Sequence, residues 1–156
     1  MSLRSVLGSL QLPVAGIGVL LLVMSISQLL LMESPLPESE GFVQGLAMFF
    51  LYIMAWVGLV LTAGGLAIPP GEDGFGIQFN RWQRRLFILA MLGAIGSALL
   101  PLVGMGWIFA TAREGNGTLL LIAFAGPSGI AIVSLLAGLA WRAAEAIRPR
   151  IAIAEG

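Results

Sequence analysis

Four long apolar stretches constrain this sequence more than any other feature. They cover residues 12–32, 42–68, 86–110 and 119–141, and none of them contains Asp, Glu, Lys or Arg. Each is long enough to cross the hydrocarbon layer of a bilayer as a helix, which takes about 20 residues. Because lipid offers the backbone no water, a spanning segment must satisfy its own hydrogen bonds, as a helix does. The sequence therefore predicts four transmembrane helices.

The fold class that follows is all-α: an integral membrane four-helix bundle made of two antiparallel transmembrane hairpins. We expect residues 1–156 to form a single membrane domain, with a cytoplasmic tail at residues 142–156. Only 10% of the residues are charged, compared with roughly 25% in soluble domains. The loops between the spans are short, and no internal repeat is evident in the sequence.

Arginine is distributed unevenly between the two ends of the spans. With both termini inside, seven of the eight arginines are cytoplasmic, whereas the loop at residues 33–41 carries three glutamates and no arginine. The positive-inside rule therefore predicts a multi-pass protein of the cell membrane with cytoplasmic N and C termini. We assign topology setting and lipid-headgroup contact to the arginines of the inner rim, which are Arg81, Arg84, Arg85, Arg142, Arg148 and Arg150. Acidic neighbours dilute this rim, so no nucleic acid is expected as a partner.

Three residue types are missing, and their absence excludes much chemistry. The chain has no Cys, no His and no Lys. It therefore cannot supply a thiolate metal site, a histidine haem ligand, a lysine Schiff base or a Ser–His–Asp triad. None of the four spans carries the ionisable groups that ion and proton translocators usually keep inside the membrane. We predict no catalytic residue, no metal site and no enzymatic activity.

The third and fourth spans each contain a predicted helix break. Pro101 and Gly104 lie in span three, and Gly126, Pro127 and Gly129 lie in span four. Helices interrupted by Gly and Pro can expose backbone carbonyls to a bound ion or solute. The alternative, which we favour, is that both prolines simply kink their helices.

Span two carries a row of aromatic residues on one helix face. Phe49, Tyr52 and Trp56 follow a spacing of three and four, and Trp56 lies near mid-span rather than at an interface. One interpretation is a groove for an apolar cofactor such as a quinone, a carotenoid or a lipid tail. The favoured interpretation is packing of this face against a helix, without any cofactor.

Small residues recur at helical spacing on spans two to four, where they allow two helices to approach closely. They are Gly58, Thr62 and Gly65 beside Met54 on span two, Ala90, Ala94 and Ala98 beside Gly93 and Ser97 on span three, and Ser134 and Gly138 on span four. We interpret these faces as packing surfaces that serve either this chain or a partner subunit.

Two helix ends are marked by specific residues. Asn80 is placed to cap a helix that begins at Arg81. Arg142, Glu145 and Arg148 follow one another at intervals of three. They predict a helix that runs past span four with a ladder of ion pairs and stops before Pro149.

Three functions remain in competition. The leading hypothesis is a non-catalytic accessory, scaffold or assembly subunit of a larger membrane complex, or a structural membrane protein. Its expected partners are the lipid bilayer and other transmembrane subunits, in a hetero- or homo-oligomer. The second is a small transporter or channel for a neutral solute at the Pro101 and Pro127 breaks. The third is a subunit that contributes the aromatic row to a cofactor or lipid groove.

Overall fold

The computed structural model describes residues 3–32, 41–70, 76–111 and 117–154. Four helices account for most of them, and this part of the chain contains no β-strand. The helices are α1 (Leu3–Leu31), α2 (Gly41–Ala67), α3 (Arg81–Thr111) and α4 (Gly117–Ala154). The all-α fold class is therefore confirmed.

Each helix contains a segment long and apolar enough to cross a membrane. These segments are Gly8–Leu31, Phe42–Ala67, Arg81–Gly104 and Leu121–Ile147. They overlap the four predicted spans, although the first begins four residues earlier, the third begins five and ends six residues earlier, and the fourth ends six residues later. Hydrophobic segments of this length partition into lipid as helices, so the chain is a multi-pass membrane protein.

The prediction that the fourth helix stops before Pro149 is wrong, because α4 continues to Ala154. A proline removes one amide donor and leaves the carbonyl four residues earlier without its helical partner. Here that carbonyl belongs to Glu145, close to the end of the apolar segment at Ile147. Water or headgroups can satisfy a carbonyl at this position, so the helix tolerates the proline.

The contacts of the chain divide it into two compact units, Met1–Gly76 and Ile77–Gly156. In the first unit, α1 packs against α2; in the second, α3 packs against α4. Both pairs are antiparallel, because residues early in one helix meet residues late in the other, as Gln11 meets Ile68 and Gln83 meets Glu145. The two predicted antiparallel hairpins are therefore confirmed.

The two hairpins bury corresponding positions, a regularity that the sequence alone did not reveal. Gln11, Ala15, Gly18 and Ser25 are buried in α1. Gln83, Phe87, Ala90 and Ser97 are buried in α3, each at the same offset of 72 residues. The same offset relates Thr62, Ala63 and Leu66 of α2 to Ser134, Leu135 and Gly138 of α4. One packing pattern is thus used twice in the chain.

Candidate functional site

The interior of the first hairpin is a close contact between two glycines. A methyl group built on Gly18 would overlap the backbone of Thr62 and lie 2.8 Å from the carbonyl oxygen of Gly58. A methyl group on Gly58 would lie 2.8 Å from the carbonyl oxygen of Gly18. Backbones this close gain dispersion energy, which drives helix association where lipid removes the hydrophobic effect. The small face predicted on span two thus contacts α1.

Gln11 closes one end of this hairpin. Its side chain is fully buried, and its Nε2 donates a hydrogen bond to the carbonyl oxygen of Ile68 over 3.0 Å. Ile68 follows the last residue of α2, where backbone carbonyls lack helical partners. Gln11 Oε1 lies against Gly76, whose φ of +125° favours glycine. One amide side chain therefore contacts both the end of α2 and the loop that follows it.

The second hairpin also packs closely through glycines, but here they meet a phenylalanine ring and the carbonyl of a proline. A methyl group on Gly138 would lie 2.7 Å from Cε1 of Phe87, and one on Gly93 would lie 2.8 Å from the carbonyl oxygen of Pro127. The Phe87 ring also meets Phe79 edge to face, with 4.9 Å between ring centroids. Gly93 of the face predicted on span three therefore contacts α4, and Gly138 of the face predicted on span four contacts α3.

Polar side chains also contact one another at one end of the second hairpin. They surround Gln83, which corresponds to Gln11 of the first hairpin. Gln83 is fully buried, and its Nε2 donates a hydrogen bond to Oε2 of Glu145 over 2.9 Å. Its Oε1 accepts a hydrogen bond from the backbone N–H of Asn80 over 2.9 Å. Arg142 Nη1 lies 3.9 Å from the same oxygen of Glu145. Asn80 thus occupies the N-cap position expected of it.

The aromatic row of α2 lies largely outside the hairpin interior. Phe49 is 59% exposed and Tyr52 is 62% exposed, while Trp56 is half-buried. Phe49 contacts its neighbour Phe50 edge to face at 6.1 Å between centroids. The face is therefore open to lipid or to another molecule, and a quinone, carotenoid or lipid-tail groove there stays a prediction.

Neither proline of the predicted breaks interrupts its helix. α3 is helical through Pro101 and Gly104, and α4 is helical through Gly126, Pro127 and Gly129. Pro127 packs against α3, with its Cβ 3.7 Å from a methyl group built on Gly96. The helices are thus continuous at these residues, and solute binding there stays a prediction.

Ser128 adds one polar feature beside Pro127. Its Oγ is shielded from solvent and has no hydrogen-bond partner among the described residues. The hydroxyls of Ser25, Thr62 and Ser97, by contrast, each donate to a carbonyl of their own helix, as Ser97 Oγ does to Ala94 at 2.8 Å. A buried hydroxyl without a partner costs free energy, so this position suits a bound water or a polar ligand atom.

The arginines of the predicted inner rim are in different environments. Arg81 and Arg85 are exposed, whereas Arg84 and Arg142 are half-buried. The guanidinium carbon of Arg85 lies 4.7 Å from the centroid of the Trp82 ring, a cation–π contact. The side chains of Arg148 and Arg150 lie outside the described part of the chain.

Sequence reasoning missed the two buried glutamines. Gln11 precedes the first predicted span and Gln83 precedes the third, and neither was assigned a role. A usable signal was present, since each lies fourteen residues before a serine, Ser25 or Ser97, of the same helix. The repeated Gln–Ser pair marks the face of each hairpin that is buried.

The described residues contain no group of three or more His, Cys, Asp or Glu side chains that could hold a metal ion. The main polar features of this part of the chain are the contacts of Gln11 and Gln83, the Ser128 hydroxyl and the exposed arginines near Trp82. No protein-family model, no curated protein and no solved structure matches this chain. What the protein does must therefore be inferred from these features of its own chain.

Proposed function

We propose that the chain is a non-catalytic accessory or scaffold subunit that packs against other transmembrane subunits. The observation that carries this proposal is an exposed small-residue surface on α4. Gly126 and Gly129 are exposed, and a methyl group built on either would meet no atom within 4 Å. Glycine inside a helix costs roughly 1 kcal/mol relative to alanine, and neither glycine serves the contact with α3.

A close-packed partner helix explains this surface. Helices in lipid associate through small residues that let their backbones approach. Ala125 and Gly129 follow the small-xxx-small spacing that favours such an approach, and both are exposed. The small residues of the hairpin interiors, such as Gly18 and Gly93, are already in contact within the chain. The surface at Gly126 and Gly129 takes no part in the contact with α3, and we assign it to a second subunit.

Native purification tests this proposal. We expect the chain to co-purify in mild detergent with one or more transmembrane proteins, in a particle larger than its own 16.4 kDa. Gly129→Leu should release those partners, because a leucine there blocks close approach. Gly16→Leu is the matched control: Gly16 is also exposed, but the residues four positions away are Leu12 and Leu20, so it belongs to no small-xxx-small pair. Recovery of the wild-type chain as a bare monomer would contradict the proposal.

The proposed location is the cell membrane, with both termini in the cytoplasm. Its support is the distribution of arginine between the loops. The natural lack of Cys makes the test direct. Ser39→Cys should react with an impermeant thiol reagent on intact cells, whereas Ser2→Cys should react only after permeabilisation. The reverse pattern would invert the topology.

A second candidate function, transport of a small neutral solute, is favoured by one observation, the unpartnered hydroxyl of Ser128. In this candidate the hydroxyl binds the solute beside Pro127. Ser128→Ala should then lower uptake into proteoliposomes containing the purified chain, while Ser97→Ala, which removes a hydroxyl already bonded to Ala94, should not. Equal uptake in vesicles with and without the chain, over a panel of neutral solutes, would exclude it.

A further inference from the structure

Three residues at the start of α3 form one outward surface: Arg81, Trp82 and Arg85, hereafter the arginine–tryptophan cluster. Gln83 lies between these residues in the sequence and is buried. It donates a hydrogen bond to Glu145, so its face of α3 is turned toward α4. Arg81 and Arg85 lie two residues to either side of Gln83. At about 100° per residue, both therefore point away from α4.

Within the cluster, Trp82 holds the guanidinium of Arg85. Trp82 is 59% exposed, and the guanidinium carbon of Arg85 lies 4.7 Å from its ring centroid. A guanidinium in contact with a ring face keeps its N–H donors free at its edge. Tryptophan is also the side chain that prefers the headgroup layer of a bilayer. The cluster thus combines an interfacial anchor with a positioned group of cationic donors.

The first hairpin shows that this charge is not needed for packing. Gln11 and Gln83 correspond at an offset of 72 residues. At that offset the cluster corresponds to Ser9, Leu10 and Pro13 of the first hairpin, which are all uncharged and all exposed. The two hairpins bury corresponding positions, yet only the second carries the cluster. The cationic residues at Arg81 and Arg85 therefore serve something outside the helix pair.

We propose that the arginine–tryptophan cluster binds the phosphate of an anionic phospholipid. Two exposed guanidinium groups four residues apart on one helix offer paired N–H donors, the arrangement that arginine uses to bind phosphate oxygens. The Trp82 ring lies beside the glycerol and upper acyl region, where one ring edge contacts hydrocarbon. This lipid site goes beyond the proposed accessory function, because the lipid binds whether or not other subunits do.

Lipid titration of the full chain, followed by native mass spectrometry from mild detergent, tests the proposal. The probes are phosphatidylglycerol and phosphatidylcholine with identical acyl chains. We expect phosphatidylglycerol to bind about 25-fold more tightly, since two arginines each contribute on the order of a fivefold preference for anionic lipid. Arg81→Gln and Arg85→Gln should each weaken phosphatidylglycerol binding about fivefold. Trp82→Ala should weaken it about twofold, because it releases the guanidinium of Arg85.

Arg142→Gln is the matched control. It makes the same change of charge at the same end of the hairpin, but Arg142 lies 3.9 Å from the carboxylate of Glu145. The variant should bind phosphatidylglycerol within about twofold of wild type, because the charge it removes is already paired with a carboxylate. Equal binding of the two lipids would overturn the proposal, and so would an Arg142→Gln effect as large as that of Arg85→Gln. Displacement of the bound lipid by millimolar inorganic phosphate would instead indicate a site for free phosphate and would also overturn it.

Discussion

Gln83 of α3 donates a hydrogen bond to the carboxylate of Glu145 of α4 over 2.9 Å, from a side chain with no solvent exposure. The same amide accepts the N–H of Asn80, so one residue caps its own helix and joins it to the next. The bond fixes which turn of α4 lies beside the first turn of α3.

Gln83→Leu should destabilise the protein by about 1–2 kcal/mol, because it leaves the Asn80 N–H and the Glu145 carboxylate without this partner. Unfolding by sodium dodecyl sulfate in mixed micelles, followed by circular dichroism, measures the change. Gln78→Leu is the control, since Gln78 is exposed and its loss should be nearly neutral. An equal loss of stability in both variants would show that the hydrogen bond contributes nothing.

Gly18→Ala should destabilise the first hairpin by about 1–3 kcal/mol, because its methyl group would overlap Thr62 and force α1 away from α2. Gly16→Ala places the same methyl group where nothing lies within 4 Å. It should leave stability unchanged or raise it by up to about 1 kcal/mol through better helix propensity. Thermal unfolding in detergent compares the two variants, and similar behaviour would disprove close packing at Gly18.

Gly138→Ala should clash with the ring of Phe87 and cost about 1–3 kcal/mol. Phe87→Leu alone should also destabilise, because it removes part of a fully buried ring. In the double variant the shorter side chain makes room for the new methyl group, so the loss should be smaller than the two single losses together. A double-mutant cycle measures this coupling, and strict additivity would place the two residues out of contact.

Gly76→Ala should be destabilising by about 1–3 kcal/mol, because a φ of +125° strains any side chain. The added methyl group would also collide with Oε1 of Gln11. Gly45→Ala, on a helix surface with no atom within 4 Å of the new group, serves as the comparison and should be neutral or slightly stabilising. Proteolysis of the loop after α2 gives a second measurement. Faster cutting in Gly76→Ala than in Gly45→Ala is the expected result.

Hydropathy was sufficient to predict the four spans, because no other structure satisfies the backbone of so many uncharged residues in lipid. The start of α3 could also be predicted, because asparagine favours the N-cap position and Asn80 directly precedes Arg81. The end of α4 was mispredicted because a proline near a helix terminus frees only one carbonyl, here that of Glu145, and this costs less than a break in mid-helix.

Small residues predicted the buried faces of α2, α3 and α4, but hydropathy did not identify them, and no buried face was predicted for α1. Residues that face lipid and residues that face a helix are equally apolar, so the periodicity that marks a buried face in water is weak here. Ala15 and Phe87 occupy corresponding buried positions yet differ greatly in size, which conceals the correspondence from sequence comparison. Phe87 fits because Gly138 faces it, whereas Ala15 faces Gly65.

The hydroxyls inside the hairpins have a consequence for helix association. Ser25 donates to the carbonyl of Leu21 at 2.6 Å, Thr62 to that of Gly58 at 2.7 Å, and Ser97 to that of Ala94 at 2.8 Å. Each of these hydroxyls gives its single proton to its own helix, so none of the three is a donor to the opposite helix. The match between the two helices of each pair therefore depends on shape, through glycines that fit the opposite helix, and on one glutamine amide at one end.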